Sequence, residues 1–259
     1  MDFTELLLLN AAVITTLMLS LWVASLALRD ASIVDAFWGM GFVLVAAADY
    51  LAGDGWQPRM VTITLLIFIW GLRLSLHLAQ RNFGQPEDYR YQAMRRRWGV
   101  NFPWISLIVV FGLQGVLLWL IAIPIAVVSS ATLPDVVVWS DLAGIVLWIF
   151  GFAFEAVSDA QLSAFKAQPS NRERVMEVGL WRWTRHPNYF GDATLWWGIW
   201  LIAASAPGGF WAVGSPVLMT WLLMRVSGVP LLEKHLARTR EGYADYVART
   251  PQFFPRPPR

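Results

Sequence analysis

The run Leu6–Leu28, LLLLNAAVITTLMLSLWVASLAL, carries no lysine, arginine, aspartate or glutamate over 23 residues. About 20 mainly apolar residues cross the hydrocarbon of a bilayer, and a helix of that length satisfies its own backbone polar groups there. A cleaved export signal opens on positive charge, whereas Met1–Glu5 holds two acids and no base, so this run is expected to remain as a span. Six further runs repeat the pattern: Ala31–Leu51, Met60–Gln80, Trp104–Ser130 with Pro124 inside it, Asp141–Leu162, the short Asn188–Ser205, and Phe210–Val229. The expectation is an all-α polytopic membrane protein with seven transmembrane helices in a single domain, residues 1–259. No repeat or low-complexity tract divides it.

Composition agrees. Of 259 residues, 57% are apolar and 15% charged, and mean hydropathy is +0.49. Soluble domains sit nearer half apolar and a quarter charged, so disorder, nucleic-acid binding and ordinary cytosolic enzymology are all disfavoured. The absence of cysteine removes disulfides, iron–sulfur clusters, thiolate metal sites and cysteine nucleophiles, and no metal is expected. Sixteen tryptophans suit the two membrane interfaces.

The bases give an orientation. In a seven-span chain, 17 of the 20 basic residues fall on one side: Arg29, five in Arg81–Pro103, five in Ser163–Pro187 and six in the tail after Val229. The positive-inside rule then puts the C-terminus in the cytoplasm and the N-terminus outside. For Arg95–Arg97 that topological role, with contacts to lipid phosphates, is sufficient explanation.

Ionisable groups inside spans are costly, about 2.5–3.5 kcal/mol at the bilayer centre, and so point to function. They are Asp35 and Asp49 in the second run, Arg73 and His77 in the third, Glu155 and Asp159 in the fifth, Asp192 in the sixth and Arg225 in the seventh. Arg73 and His77 share a helix face, within reach of Asp35, either as a register-setting ion pair or as catalytic groups. Asp49, near a span end, is expected to be wetted, and Arg225 to snorkel to the interface. In the second half, Arg185-His186-Pro187-Asn188-Tyr189-Phe190-Gly191-Asp192 enters the short sixth run. Pro187 suits a first helical turn, and free N–H groups beside Arg185 and His186 make an anion site. Asn188 and Asp192 lie one turn apart, placed to hydrogen-bond a phosphorylated cofactor. A capped, charge-rich helix entry is the plainer alternative.

Residues 185–192 resemble the signature of the membrane sterol reductases. Gly179-Leu180-Trp181 and the tail Tyr243…Tyr246…Arg249-Thr250-Pro251…Phe254-Pro255 resemble it too. The steroid 5-alpha-reductase-like family is similar through the same region, with Asp159 followed by bases matching Lys166 and Arg174, and with Asp192 where that family has glutamate. Leu76-His77…Arg81-Asn82-Phe83 is a weaker match. The resemblance covers roughly residues 150–259 and places the chain in a bacterial branch of that family, hence the inner, cytoplasmic membrane.

The resemblance implies an NADPH-dependent oxidoreductase of the 3-oxo-5-alpha-steroid 4-dehydrogenase kind. It would reduce a carbon–carbon double bond, conjugated to a carbonyl, in a lipophilic substrate taken from among the membrane lipids. Residues 1–140 would form the substrate-cavity half and 141–259 the cofactor-binding half. Lys166, Arg172 and Arg174 would neutralise phosphates, joined by Arg185 and His186; Asp159, Asn188, Tyr189 and Asp192 would hold ribose and carboxamide; Glu233 and Lys234 would close the site. There is no G-x-G-x-x-G, so no Rossmann domain is expected. The family's glutamate–tyrosine pair maps to Asp35 and to Leu78, a departure. Tyr89 or Tyr91, or His77 directly, would then serve as the donor that stabilises charge on the carbonyl oxygen.

Two other classes compete. Isoprenylcysteine and phospholipid methyltransferases share an Arg-His-Pro-x-Tyr motif at the same topological point and bind S-adenosylmethionine; the upstream bases favour a dinucleotide phosphate instead. A transporter would show paired inverted repeats, and none is visible. A scaffold has no need of Asp35, Asp159 and Asp192 within its spans.

Overall fold

The computed structural model describes residues 1–171, 173–226 and 228–258, and only the backbone of Pro230, Leu231 and His235. The described residues are helical, with irregular links and no strand. Five helical runs are long and apolar enough to cross a membrane: Phe3–Leu28, Gln57–Asn82, Tyr89–Ile121, Trp139–Ala167 and Gly209–Val226. The chain is an integral membrane protein. The second and sixth expected spans are shorter than anticipated, at 15 residues in Trp38–Ala52 and 17 in Pro187–Ala203.

The residues form two compact units, Met1–Val137 with Ala203–Ala212, and Val138–Ile202 with Val213–Arg259. The first unit opens with α1 (Phe3–Leu28), about 39 Å long at 1.5 Å per residue. Asp2 and Glu5 cap it reciprocally, each side chain accepting the other's backbone N–H at 2.8 Å. It stops at Arg29, whose φ of 54° is left-handed. A single turn, α2 (Ile33–Ala36), leads into α3 (Trp38–Ala52) and α4 (Gln57–Asn82). Asp88 caps α5 (Tyr89–Trp98), which runs on through a tighter turn, α6 (Phe102–Ser106), a widened π turn and α7 (Leu113–Ile121). The expected fourth span therefore starts earlier than Trp104. It also breaks at Ala122, because Pro124 cannot supply the next backbone donor and its ring excludes the preceding turn. The remainder is α8 (Ile123–Ser130).

α4 shows why this unit belongs in lipid. Ile63, Ile67 and Trp70 are sealed inside, while Leu65, Ile69, Leu72 and Leu76 form an exposed apolar stripe at helical spacing on another face. Polar solvent gives no reason for the second stripe; acyl chains do. α3 and α4 touch backbone to backbone, since a Cβ at Gly39 would lie 2.4 Å from the Gly71 carbonyl oxygen.

In the second unit, α9 (Trp139–Ala167) and α10 (Pro187–Ala203) pack in the same way. A Cβ at Gly191 would sit 2.5 Å from the Glu155 nitrogen and 2.6 Å from the Gly151 oxygen. α11 (Gly214–Trp221) continues through a π turn to Val226, and α12 (Val229–Thr239) and α13 (Tyr243–Arg249) complete the chain.

Candidate functional site

In the second unit the segment between α9 and α10 is pinned to α9 first. Gln161 accepts the Leu180 N–H at 3.0 Å, and the Trp181 indole donates to the Ser158 carbonyl at 3.1 Å. Gly179 makes the turn at φ 60°, where any Cβ would strike the Gln161 amide. The tail then folds back over residues 181–186. The Arg185 N–H donates to the Pro251 carbonyl at 2.9 Å, Thr184 Oγ1 to the Phe253 carbonyl at 2.9 Å, and the Arg256 N–H to the Trp183 carbonyl at 3.0 Å. The Tyr246 hydroxyl donates to the Trp181 carbonyl at 2.6 Å. Phe253 lies edge-on to Phe190, with 5.9 Å between ring centres.

Under this strap is a buried charge knot. Arg185 Nε donates to Glu233 Oε1 at 2.8 Å, and its Nη1 to the Thr250 carbonyl at 2.6 Å. His186 Nε2 lies 3.1 Å from the same Glu233 oxygen, and Gln252 donates to the other at 3.1 Å. Partial burial pushes the Glu233 carboxyl up, but the hydrogen bonds from His186 and Arg185 outweigh it and hold it at about 2. Arg185 and His186 are 8% and 2% exposed. These two residues, expected to contact a cofactor, are spent on protein: they join α10 to α12 and the tail. Tyr189 stacks on the His186 ring, 5.6 Å between centres.

Of the other expected cofactor residues, Asn188 and Asp192 lie in the first turns of α10. Asn188 Nδ2 donates to Asp159 Oδ1 at 3.1 Å, tying α10 to the polar end of α9. Asp192, half-buried, follows one turn later. Lys166 and Arg174 are exposed, and Arg174 reaches the Asn171 side chain at 3.5 Å. Lys234 is exposed on α12. Arg172 lies outside the described residues. A separate cavity of about 260 Å³ is lined by Glu177, Val178, Arg182, Arg249, Thr250 and Pro258. Those residues do not include Asp159, Asn188 or Asp192, and an Arg249–Glu177 ion pair occupies its rim.

The first unit holds the second polar cluster. Tyr91 donates its hydroxyl to Asp35 Oδ1 at 2.8 Å, and Arg90 Nη2 reaches Asp35 Oδ2 at 2.6 Å. Arg90 Nε also bonds Asp88 Oδ1 at 2.8 Å. Gln114 donates to the Tyr91 oxygen at 3.3 Å. Alongside, Glu87 accepts the Ala31 N–H at 2.9 Å and Arg95 Nη2 at 2.8 Å. Burial raises the Glu87 carboxyl, but the Arg95 and Ala31 bonds outweigh that and leave it below the usual carboxylate range. The residues 29–35 and 87–95 are thus stitched into one end of the unit.

Residues 21–250 match the family described as protein of unknown function (DUF1295). The chain belongs to that family. No curated protein and no solved structure matches it.

For this DUF1295 chain, Asp35 is brought to a tyrosine, and the tyrosine is Tyr91 rather than Tyr89. Tyr91 is 6% exposed and Tyr89 51%. The reason is local: Asp88 caps the helix, so residues 89 and 91 point about 200° apart. Asp88 at the head of α5 was the available signal. His77 is half-buried on α4, and the carboxylate of Asp35 is held by Arg90 and Tyr91. Arg90, Gln114 and Gln252 were not foreseen. Each is an ordinary polar residue whose partner lies in another element, so spacing alone carries no trace of it.

Proposed function

We infer that this chain is a membrane oxidoreductase of the steroid 5-alpha-reductase-like kind, using NADPH to reduce an enone-type carbon–carbon double bond in a lipophilic substrate. The observation that carries the inference is the Asn188–Asp159 hydrogen bond, which sets the Arg-His-Pro-Asn-Tyr motif against an aspartate at the polar end of α9. The donor set suits a phosphorylated dinucleotide. Lys166 and Arg174 present exposed cationic groups for phosphate, and Asp159, Asn188 and Asp192 offer carboxylate and amide groups for ribose hydroxyls and a carboxamide. Bound there, NADPH supplies the hydride.

The protein's part is to position and to protonate. As hydride reaches the β carbon, negative charge grows on the carbonyl oxygen, and a fixed donor stabilises it. In the first unit the candidate for such a donor is the Asp35–Tyr91 pair, backed by Arg90 and Gln114; the phenol's one proton rests on Asp35 and would have to turn away from it to serve. Seven spans, with the N-terminus outside and the basic face of a bacterial inner membrane in the cytoplasm, complete the inference.

One observation favours a second function. Arg185 and His186 are committed to Glu233, so two of the expected phosphate-binding cations are not on offer. S-adenosylmethionine, which has no phosphate, needs none, and a methyltransferase fits the same motif. Cofactor-induced thermal stabilisation separates them: NADPH raises the melting temperature under the reductase assignment and S-adenosylmethionine does not. The reverse result overturns it. Asn188→Ala abolishes the NADPH shift, and oxidation of NADPH against 3-oxo-4-ene steroids and prenyl enones then identifies the substrate class.

A further inference from the structure

Asn10 and Asp49 lie in the first unit, apart from both polar clusters. Asn10 is two turns into α1, and Asp49 is one turn from the end of α3. Asp49 was expected to be wetted at a span end, yet it is 0% exposed and Asn10 is 1% exposed. Asn10 Nδ2 donates to Asp49 Oδ2 at 3.1 Å. The two remaining side-chain oxygens, Asn10 Oδ1 and Asp49 Oδ1, receive no hydrogen bond from any described residue. Asn10 is the one side-chain partner of Asp49 among them.

An ionised carboxylate sealed in an apolar interior needs a counter-charge, and a single amide N–H is not one. The elements packed on α3 are α1, α2, α4, α7 and α8. Their ionisable groups are Glu5 on α1, Asp35 on α2, and Arg59, Arg73, His77 and Arg81 on α4; α7 and α8 have none. Arg59 turns its guanidinium to the Pro134 and Val136 carbonyls, at 3.0 and 3.1 Å, and lies over the Trp56 ring. Asp35 is held by Arg90 and Tyr91. A carboxylic acid and a primary amide, by contrast, are complementary: each presents one donor and one acceptor along the same edge. One proton on Asp49 converts two orphaned acceptors into a donor and its acceptor.

We propose that Asn10 and Asp49 form a buried proton-binding site, in which Asp49 carries a proton on Oδ1 and donates it to Asn10 Oδ1. The proton comes from water and returns to it when the site opens. The closed ring of two hydrogen bonds locks α1 to α3. In alkaline solution the proton is lost, the second bond goes with it, and this end of the unit loosens.

The test is an infrared comparison of the wild-type protein in nanodiscs with Asp49→Asn, joined to melting curves across pH. The wild type is expected to show a protonated-carboxyl C=O band that Asp49→Asn lacks. Asp49→Asn keeps both bonds as an amide–amide pair. It is therefore expected to melt with the wild type in mild acid and to escape the wild type's fall in alkaline buffer, whereas Asp49→Ala melts lower throughout. Identical infrared spectra overturn the proposal, as does an Asp49→Asn variant that melts as low as Asp49→Ala. So does wild-type stabilisation that follows sodium concentration rather than pH, which would assign the two oxygens to a metal cation.

Discussion

Tyr91 and Tyr89 are two residues apart and have opposite environments, so they make a controlled pair. Tyr91→Phe removes the hydroxyl bonded to Asp35 and is expected to lower turnover of an enone substrate by about 10²-fold or more, the scale of a lost proton donor. Tyr89→Phe, at the exposed position, should stay within about twofold of wild type; NADPH oxidation under saturating cofactor reads both. Glu233 gives a pH dependence. Its folded value of about 2 lies below the ordinary glutamate value of about 4.3. Its contribution is therefore complete above the ordinary value and is lost as pH falls toward the folded one. Melting temperature in detergent should drop across that acid window in the wild type. Glu233→Gln should flatten the drop and cost about 2 kcal/mol at neutral pH, because charged hydrogen bonds to Arg185 and His186 are weakened.

At the scale of elements, the α9–α10 seam decides where Asn188 meets Asp159. The contact at Gly191 is backbone on backbone, with no flexible side chain to yield. Gly191→Ala must push the helices apart and is expected to destabilise by about 1–3 kcal/mol, with a parallel loss of NADPH-induced stabilisation; denaturation midpoints and thermal shifts check the two effects. Apolar periodicity made the long helices legible. It misjudged the fourth, because hydropathy is blind to the backbone donor that Pro124 lacks and to the polar first turns of α5, which continue into the apolar run. The motif at 185–192 was legible as a helix entry, and α10 does begin at Pro187. That Arg185 and His186 face Glu233 and the tail carbonyls was not, since the strap at residues 250–256 is an irregular segment held by backbone hydrogen bonds.

For the whole molecule, the proposed orientation rests on charge, and the cysteine-free chain is a clean background for testing it. Single cysteines at Gln85, Asp135 and Arg182 sit at exposed positions. In intact cells an impermeant thiol reagent is expected to label Asp135→Cys, and to label Gln85→Cys and Arg182→Cys only after permeabilisation; the opposite pattern reverses the topology. Ligand binding to the folded state alone stabilises it by RT ln(1 + [L]/Kd), about 2.7 kcal/mol at a hundredfold excess over Kd. NADPH at that excess should raise the melting temperature accordingly.

Membrane residence, helical class and the crowding of polar groups near residues 155–192 are written along the chain, because lipid imposes its length and hydropathy demands on each span separately. The partners of those polar groups are not. Which tyrosine meets Asp35, which arginine is consumed by Glu233 and which aspartate is sealed against an asparagine depend on hydrogen bonds that join residues dozens of positions apart. Such pairs exist only once helices approach, and close approach is set by small residues such as Gly39, Gly71, Gly151 and Gly191, whose significance appears when their neighbours are in place.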